Sequence, residues 1–403
     1  MLLEYSYTNF VHPIYEYAGF VLIDNAIKYC ESWVLMVFML LTLPSRAIRP
    51  SDYLICVGFF SFIVPLLVFY GMSDSERFAT YVVTLQFVVI NSLRRGRPVR
   101  LPRIRNGEII AIGISVLATL LTTVGMVTAV GLSSFNLDMD RVYEFRDVAT
   151  EQIYTGVFGY LAVWTTTVFG SLLLVVALRD RKVFYTCLIL LAYVFWYGMS
   201  SHKSVFFYPF LVLFLWALFR YSRASALIPL GMSIVVSLSV LSYFVTESLF
   251  LPGMLIRRAF FVPSHLTFTY FEFFSINPHL YWSDSFLSWL SEYPYDDSIA
   301  LVIGEYLGST ALWANNSFFS TGYMHAGVFG VLIYGLVVGL LFRVLDSMVG
   351  SRVPLWAGVS LVIIPFYSLF TSADLLTTLL THGLGVGLVM LGLFASSHSR
   401  YSL

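Results

Sequence analysis

The run IIAIGISVLATLLTTVGMVTAVGL, residues 109–132, contains no charged side chain. About 20 apolar residues are enough for a helix to cross the hydrocarbon core of a bilayer, so this run predicts a membrane-spanning helix. The whole chain is similar, since 58% of its 403 residues are apolar and only 11% are charged. Soluble domains carry about 25% charged residues. The composition therefore excludes a soluble enzyme and predicts an all-α polytopic membrane protein.

Further apolar runs predict the other spans. Together with 109–132 they lie at 31–45, 51–72, 78–93, 155–178, 183–199, 205–219, 225–245, 328–342, 353–371 and 375–396. Residues 10–29 form one more candidate, which either extends the first helix or lies along the membrane surface. We thus expect about 11–12 transmembrane helices, arranged as helices with short loops (1–245), a large outer loop (246–327) and C-terminal helices (328–403).

Basic residues in the loops predict the orientation. Sixteen lie in one set of loops, at 46–49, 94–105, 179–182, 220–223, 343–352 and 400, whereas the other set holds six. Cytoplasmic loops carry the excess of Lys and Arg, so the first set and the C-terminus are expected in the cytoplasm. The same rule explains the basic stretch Arg94–Arg105. Because the 23 basic and 23 acidic residues balance, we expect no nucleic-acid partner.

The large loop, 246–327, is rich in aromatic and acidic residues. It holds 19 aromatics, seven carboxylates and three histidines, but only two basic residues, Arg257 and Arg258. Its amphipathic runs, such as 259–274 and 298–312, predict helices that lie on the outer leaflet or dip into it. Two adjacent arginines in such a loop predict an anionic partner, because guanidinium groups bind phosphate oxygens in a bidentate manner. The alternative is ion pairing with Glu247 or Glu272.

Other charged residues near the membrane are further candidates, because charge at membrane depth marks functional sites. Lys203, in the hairpin 200–204, either binds a phosphate or extends to the interface. Arg146, in the acidic loop 133–154, is a candidate contact for an anion. Glu272 and His325 are the candidate bases of the outer loop. Asp374 and His382 either belong to an ion path or cap helix ends. No metal-ligand spacing is present, so we expect neither a metal nor a cofactor.

Several short motifs resemble the Wzy-type O-antigen and oligosaccharide repeat-unit polymerases. They are Arg257–Pro263, Tyr270–Ser275, Ile303–Gly308, Ala314–Phe318 with Gly327–Gly330, and the turn 200–204. The layout, with one large late outer loop, is similar too. Related O-antigen ligases carry a His-Asn pair where this chain has Asn315 and Asn316, a difference that argues against a ligase.

The resemblance implies a metal-independent glycosyltransferase with a fold similar to type C glycosyltransferases. Such enzymes act on the periplasmic face of the bacterial inner membrane, on oligosaccharides linked to undecaprenyl pyrophosphate. A chain-length regulator and a flippase usually act beside them. Arg257, Arg258 and Lys203 would stabilise the leaving pyrophosphate, while Glu272 or His325 would deprotonate the acceptor hydroxyl. Tyr270, Asn316 and Arg146 would contact the sugars or another anionic group.

Two alternatives stay open. One is a different transferase of lipid-linked sugars, either a ligase or a type C enzyme with a single-sugar lipid donor. The other is a transporter, for example a flippase for lipid-linked oligosaccharides. A transporter is expected to place charges along the midplane of several helices. Here the spans are nearly free of charge and the polar residues gather in outer loops, which favours chemistry at the surface.

Overall fold

The computed structural model describes residues 1–99, 102, 104–138, 149–350 and 353–396. It is 77% helical, and within those residues the only β-structure is a bridge between Arg46 and Ala224. Eight described helices are long and apolar enough to cross a membrane: Pro50–Ser73, Gly107–Val130, Gly156–Arg179, Val183–Ser200, Lys203–Tyr221, Leu227–Thr246, Phe318–Val349 and Leu375–Ser396. The chain thus has the all-α architecture of a polytopic membrane protein, as predicted.

Shorter helical elements fill the space between these spans. Two of them, Ala26–Thr42 and Arg77–Leu93, have 17 residues each and correspond to the predicted spans 31–45 and 78–93. The others are Leu2–Ser6, Tyr7–Val11, His12–Tyr15, Glu16–Ala18, Leu132–Ser134, Pro252–Phe261, Val262–Ile276, Ser288–Leu290, Ile299–Tyr306, Leu355–Ser360 and Ile363–Thr371. The spans Pro50–Ser73 and Gly156–Arg179 each contain a π-helical turn, at Phe59–Ile63 and Thr165–Phe169.

The N-terminal candidate span is broken at Gly19. This glycine has φ +87°, a left-handed conformation, and a Cβ added to it would lie 2.6 Å from His265 Nε2. Residues 2–18 therefore form a separate helical segment. Tyr7 of this segment is buried against Phe69 and Phe261, with ring centroids 5.8 and 5.0 Å apart. One face of the segment packs against the protein and the other is exposed, so the segment does not extend the first helix. That it lies along the membrane surface stays a prediction.

The predicted span 353–371 is two short helices. Leu355–Ser360 ends at Leu361, and Ile363–Thr371 follows after Val362, whose backbone is not helical. Pro365 gives the physical reason, because a proline ring clashes with the carbonyl four residues earlier, here that of Leu361. Both helices are buried among the other helices. The polar backbone at the interruption is therefore shielded from lipid.

The helix Phe318–Val349 is interrupted at Ala326 and Gly327, whose dihedral angles are not helical. Gly327 has φ +58°, a conformation that favours glycine. The two parts fold back on each other, since a Cβ added to Gly330 would lie 2.0 Å from the carbonyl oxygen of Gly322. The predicted span 328–342 is thus the second part of this element. The first part, 318–325, ends at His325.

The outer loop 246–327 differs from the predicted surface layer. Its helix Val262–Ile276 has ten buried residues and packs against Val64–Ser73, Arg77–Leu93 and Phe318–Val349. Phe271 stacks on Tyr323 at 4.2 Å between centroids. A helix with aromatic side chains on all sides buries more apolar area inside the bundle than at the lipid headgroups. The position inside the bundle is therefore more stable. This helix is therefore part of the protein core, whereas the stretch 284–298 of the same loop contains no buried residue.

Hydrogen bonds join the predicted cytoplasmic loops at one end of the bundle. The Ala47 amide donates to the carbonyl of Arg223 at 2.8 Å, and Arg343 donates to the carbonyl of Arg97 at 2.8 Å. Ser51 Oγ donates to Asp346 at 2.7 Å. These loops belong to the same, more basic set, so the structure brings that set together. Which side of a membrane it faces stays a prediction.

Candidate functional site

A cavity of about 990 Å³ lies where several interrupted helices converge. Its walls come from the N-terminal segment near Gly19, the Pro252–Phe261 element, the helix Val262–Ile276, the segment 307–316 and the interruption at 371–374. Irregular backbone among membrane helices is tolerated only where protein or a polar cavity surrounds it. The ionisable residues that line the cavity are Tyr17, Arg257, Arg258, His265, Tyr270, Asp284, Asp374 and His382.

The arginine pair lies on a ten-residue π-helix, Pro252–Phe261. Such helices are rare and occur frequently at functional sites. The Arg257 guanidinium lies 4.2 Å from the ring centroid of Tyr15, and its Nε is buried without a hydrogen-bond partner in the described structure. Arg258 is exposed at the cavity.

Neither arginine forms an ion pair with a described carboxylate, so the alternative of pairing with Glu247 or Glu272 is not observed. Both positive charges therefore remain available to an anion in the cavity. A bound phosphate would also supply the acceptor that Arg257 Nε lacks.

A buried histidine lies between two carboxylates at the same cavity. His325 has only 1% of its side chain exposed, and its Nε2 is 3.3 Å from Asp374 Oδ1. Its Nδ1 is 3.9 Å from Asp284 Oδ1. The indole ring of Trp282 stacks on the imidazole, with 5.4 Å between the ring centroids and 17° between the ring planes. The Tyr334 hydroxyl completes the cluster, because it donates a hydrogen bond of 2.8 Å to Asp374 Oδ1.

The two carboxylates of this cluster differ in their surroundings. Asp374 accepts the Tyr334 hydroxyl on Oδ1, and on Oδ2 it accepts the Leu376 amide at 2.7 Å, as the N-cap of Leu375–Leu380. Asp284 lies in the segment 277–298 and faces the cavity. Burial raises the pKa of Asp284 above its usual value, and the nearby His325 partly opposes that shift. Asp374 is thus held by donors, whereas Asp284 is poised to accept a proton.

His265 forms part of the wall beside the N-terminal segment. Its ring packs against Phe20 and Phe69, at centroid distances of 5.1 and 5.7 Å. Burial lowers the pKa of His265 to about 4, so the imidazole is neutral near pH 7. Protonation here would bury an uncompensated charge. His265 therefore serves as an aromatic wall residue and adds no positive charge to the arginine pair.

Tyr270 and Asn316, predicted as sugar or anion contacts, both line the cavity. The Tyr270 hydroxyl donates to the carbonyl of Ala314 at 2.9 Å. Asn316 Nδ2 donates to Thr267 Oγ1 at 3.0 Å and to Ser320 Oγ at 2.8 Å. These bonds hold the segment 314–316 against the helix Val262–Ile276. Asn316 Oδ1 is buried without a partner in the described structure, so it can accept a hydrogen bond from a ligand hydroxyl.

Two of the predicted site residues that the structure describes, Glu272 and Lys203, do not line the cavity. Glu272 is exposed, and its Oε1 accepts a hydrogen bond of 2.8 Å from Tyr306. Lys203 begins the span Lys203–Tyr221, and its ammonium lies 6.0 Å from the ring centroid of Phe250. Neither is among the residues that line the cavity. Arg146 lies outside the described residues.

Asp284 and Asp374 were not selected from the sequence as catalytic residues. Asp284 was one of seven carboxylates in the outer loop, and nothing local distinguished it from the others. Asp374 carried a clearer signal, since it is a single carboxylate between two strongly apolar segments. What the sequence lacked was the proximity of His325, which is far from both in the chain and joins them only through the fold.

These observations define the class: an all-α polytopic membrane protein with a large polar cavity among interrupted helices. Comparisons of the chain with protein-family models, with curated proteins and with solved structures each find no match. The resemblance to repeat-unit polymerases therefore stays a prediction. The function has to be argued from the cavity itself.

Proposed function

We propose that this protein is a glycosyltransferase that joins oligosaccharide units carried on a lipid pyrophosphate, as repeat-unit polymerases do. One observation carries the proposal: the unpaired arginines and the Asp–His–Asp cluster line or adjoin one cavity of about 990 Å³. A transfer from a pyrophosphate needs positive charge at the leaving group and a base at the acceptor. Both kinds of group are present around the same space.

The arginine pair suits a pyrophosphate leaving group. Negative charge develops on the bridging oxygen as the sugar–oxygen bond breaks, and fixed guanidinium groups stabilise it most where water is excluded. Arg257 and Arg258 have no described carboxylate to neutralise them, and Arg257 Nε lacks an acceptor. The phosphate oxygens would take that place. A ring such as Tyr15, 4.2 Å from the Arg257 guanidinium, keeps the side chain extended towards the ligand.

The cavity also suits saccharides. Sites for small ligands typically occupy about 300–1,000 Å³, so this one lies at the upper end of the range. Its wall combines aromatic residues, including Trp313 and Tyr270, with amide groups such as that of Asn316. Aromatic faces cover the apolar faces of sugar rings, and amides bind their hydroxyls. A substrate of several sugar units therefore fits better than a single phosphate.

The expected orientation of the basic loops predicts the side of the membrane on which the reaction occurs. The cavity lies at the end of the bundle away from the basic loops, which the positive-inside rule assigns to the outer, periplasmic face. Undecaprenyl-pyrophosphate-linked oligosaccharides would reach it from the inner membrane. A flippase would supply them, and a chain-length regulator would act on the product.

A second candidate function is transport of the same lipid-linked sugars or of a proton-coupled substrate. The observation in its favour is the position of Asp374 and His325, each at the end of an interrupted helix. Transporters bind substrates and coupling ions at such discontinuities. A transporter would move the intact lipid-linked unit across a bilayer, whereas a transferase breaks the bond between sugar and pyrophosphate.

The two functions are separated by a product assay. Purified protein in nanodiscs is incubated with lipid-linked repeat units and EDTA, without nucleotide sugars, and the products are resolved on a gel. We expect a ladder of polymers that is lost in Arg258→Ala and retained in Arg105→Gln, an exposed arginine of the basic end. Intact units that cross a vesicle bilayer without a ladder would instead support transport.

The same assay distinguishes the related transferases. A ligase would move the oligosaccharide only when a separate, non-pyrophosphate acceptor is added. A type C enzyme with a single-sugar donor would need a polyprenyl monophosphate sugar. A ladder formed from lipid-linked repeat units alone requires that one substrate serves as both donor and acceptor, which is the property of a polymerase.

A further inference from the structure

We propose that Asp284 is the general base of this cavity, and that His325 and Asp374 act behind it as positioning residues. The inference deepens the transferase function proposed above and rests on it. It assigns the proton of the acceptor hydroxyl to a carboxylate that the sequence did not single out, in place of Glu272 or His325.

His325 is enclosed on every side that could meet a substrate. Its Nδ1 lies 3.3 Å from the main-chain amide nitrogen of Trp282, and its Nε2 faces Asp374 Oδ1 at 3.3 Å. Trp282 stacks on one face. With 1% of its side chain exposed, His325 is not among the described residues that line the cavity. The imidazole therefore cannot contact an acceptor hydroxyl directly.

Asp374 does line the cavity, but its oxygens are already engaged. Oδ1 accepts the Tyr334 hydroxyl at 2.8 Å and faces His325, and Oδ2 accepts the Leu376 amide at 2.7 Å. Hydrogen bonds to the charged form of a carboxylate favour that form and weaken it as a base. Asp374 thus holds the imidazole in one orientation, as carboxylates commonly do for a histidine.

Asp284 is the member of the cluster that is open to the cavity. Its side chain is 27% exposed, and His325 Nδ1 lies 3.9 Å from its Oδ1. His325 and a hydrogen bond from the main chain of Asp284 itself oppose the rise in its pKa only in part. Burial raises the pKa of this carboxyl group, which makes its anion a stronger base. Position and environment both favour Asp284 as the proton acceptor.

The step balances as follows. The acceptor hydroxyl oxygen forms a bond to the anomeric carbon of the donor, and the bond from that carbon to the pyrophosphate oxygen breaks. The electron pair of the broken bond leaves with the lipid pyrophosphate, beside Arg257 and Arg258. The hydroxyl proton passes to Asp284, which returns it to water after the products leave. No oxidant, reductant or further reactant is needed.

The test compares two Asp→Asn substitutions in the same segment. Asp284→Asn is expected to lower the rate of polymer formation by about 100-fold or more, which is the usual contribution of a general base. Binding of the lipid-linked repeat unit, measured separately, is expected to change little. Asp296→Asn, at an exposed position away from the cavity, is the matched control and is expected to keep the wild-type rate. Asp284→Glu is expected to restore part of the activity.

His325 is tested by a pH profile. His325 lowers the pKa of Asp284, so His325→Gln is expected to move the acidic limb of the rate profile to higher pH. A purely structural role would lower the rate at every pH and leave the limb in place. Gel-filtration elution and thermal stability of each variant show whether it folds.

The outcomes separate the two proposals. If wild-type protein forms no ladder, the transferase function fails, and the inference fails with it. If wild-type protein and folded Asp284→Asn both form a ladder at similar rates, only the assignment of Asp284 is overturned. Loss of activity in Glu272→Gln with full activity in Asp284→Asn would assign the base to the exposed glutamate instead.

Discussion

The arginines at the two ends of the helix bundle have opposite surroundings. At the basic end, Arg94 is 3% exposed and is bound by Asp52 at 2.6 Å and by Asn91 at 2.9 Å. At the cavity end, Arg257 and Arg258 have no described carboxylate partner, although carboxylates line the same cavity. A charge that is fully satisfied by the protein supports the fold. A charge left unsatisfied at a cavity is available to a ligand, and this difference locates the site.

The largest expected effect is on stability at the basic end. Arg94→Gln leaves Asp52 buried without its partner, which costs about 3–5 kcal/mol in the free energy of unfolding. We expect a strongly lowered thermal midpoint and poor recovery of folded protein. The measurement is thermal unfolding in detergent, followed by the reaction of the buried Cys56 with a thiol-reactive fluorophore, in protein whose exposed Cys30 and Cys187 are replaced by serine.

The neighbouring Arg95 provides the control for this prediction. It is exposed and, within the described residues, donates only to the Thr42 carbonyl, so Arg95→Gln is expected to cost less than about 1 kcal/mol. Equal thermal midpoints for the Arg94 and Arg95 variants would show that the buried pair does not hold this end together.

The second prediction concerns the cavity end, where the same change is expected to affect binding and spare the fold. Arg257→Gln removes a charged donor to the ligand, a loss of about 1.5–3 kcal/mol, or roughly a 10- to 100-fold weaker affinity for a lipid pyrophosphate. The protein loses cation–π contacts with Tyr15 and Phe20, each worth about 1 kcal/mol or less. Equilibrium binding measures the change in affinity, and thermal unfolding of the same preparation measures the change in stability.

A thermal midpoint as low as that of the Arg94 variant, with unchanged affinity, would reverse the comparison between the two ends. Arg257→Lys sharpens the test further. Lysine keeps the charge but cannot form a bidentate contact, so it is expected to restore the affinity only in part.

The third prediction concerns the N-terminal wall of the cavity. Gly19→Ala places a methyl group at φ +87° and 2.6 Å from His265 Nε2, so it adds a steric clash to the backbone strain. Gly308→Ala is the matched control, because Gly308 has φ +84° and an added Cβ would meet no atom within 4 Å. Backbone strain alone costs about 1–2 kcal/mol. The Gly19 variant is expected to lose more stability than the control and to bind ligand more weakly.

Limited proteolysis of the N-terminal segment measures this difference directly. Faster cleavage in Gly19→Ala than in Gly308→Ala is the expected result. Identical cleavage rates would mean that residues 2–18 do not depend on the contact between Gly19 and His265.

The sequence predicted the spans well because a span depends on local composition alone. Residues 109–132 correspond to Gly107–Val130, and most other spans agree to within a few residues. The interruptions were missed although some carried a signal. Pro365 breaks the predicted span 353–371, and Gly327 marks the turn after His325. An apolar run shows that a segment can be buried, but it does not show where a proline or a glycine interrupts the helix.

The site was predicted only where a residue was unusual within its own segment. Arg257 and Arg258 stood out because they are the basic residues of an acidic, aromatic loop. Asp284, His325 and Asp374 lie about 40 and 50 residues apart in the chain, and although His325 and Asp374 were candidates singly, nothing in the sequence indicated that the three meet. Their meeting depends on the turn at Gly327 and on the interruption before Leu375. Proximity of that kind follows from tertiary packing, which composition and periodicity do not encode.

The smallest expected effect is at the exposed glutamate that the sequence favoured as a base. Glu272→Gln keeps the shape of the side chain and an acceptor for the Tyr306 hydroxyl, now 2.8 Å from Oε1. An exposed contact of this kind contributes less than about 1 kcal/mol, so the thermal midpoint is expected to stay close to that of the wild type. The rate of polymer formation is expected to stay within about twofold, because the carboxylate lies outside the cavity and a general base has to reach the hydroxyl within hydrogen-bond distance. Comparison with Asp284→Asn shows which feature identifies the base. The feature is either a position at the cavity or a place within an aromatic stretch of the sequence.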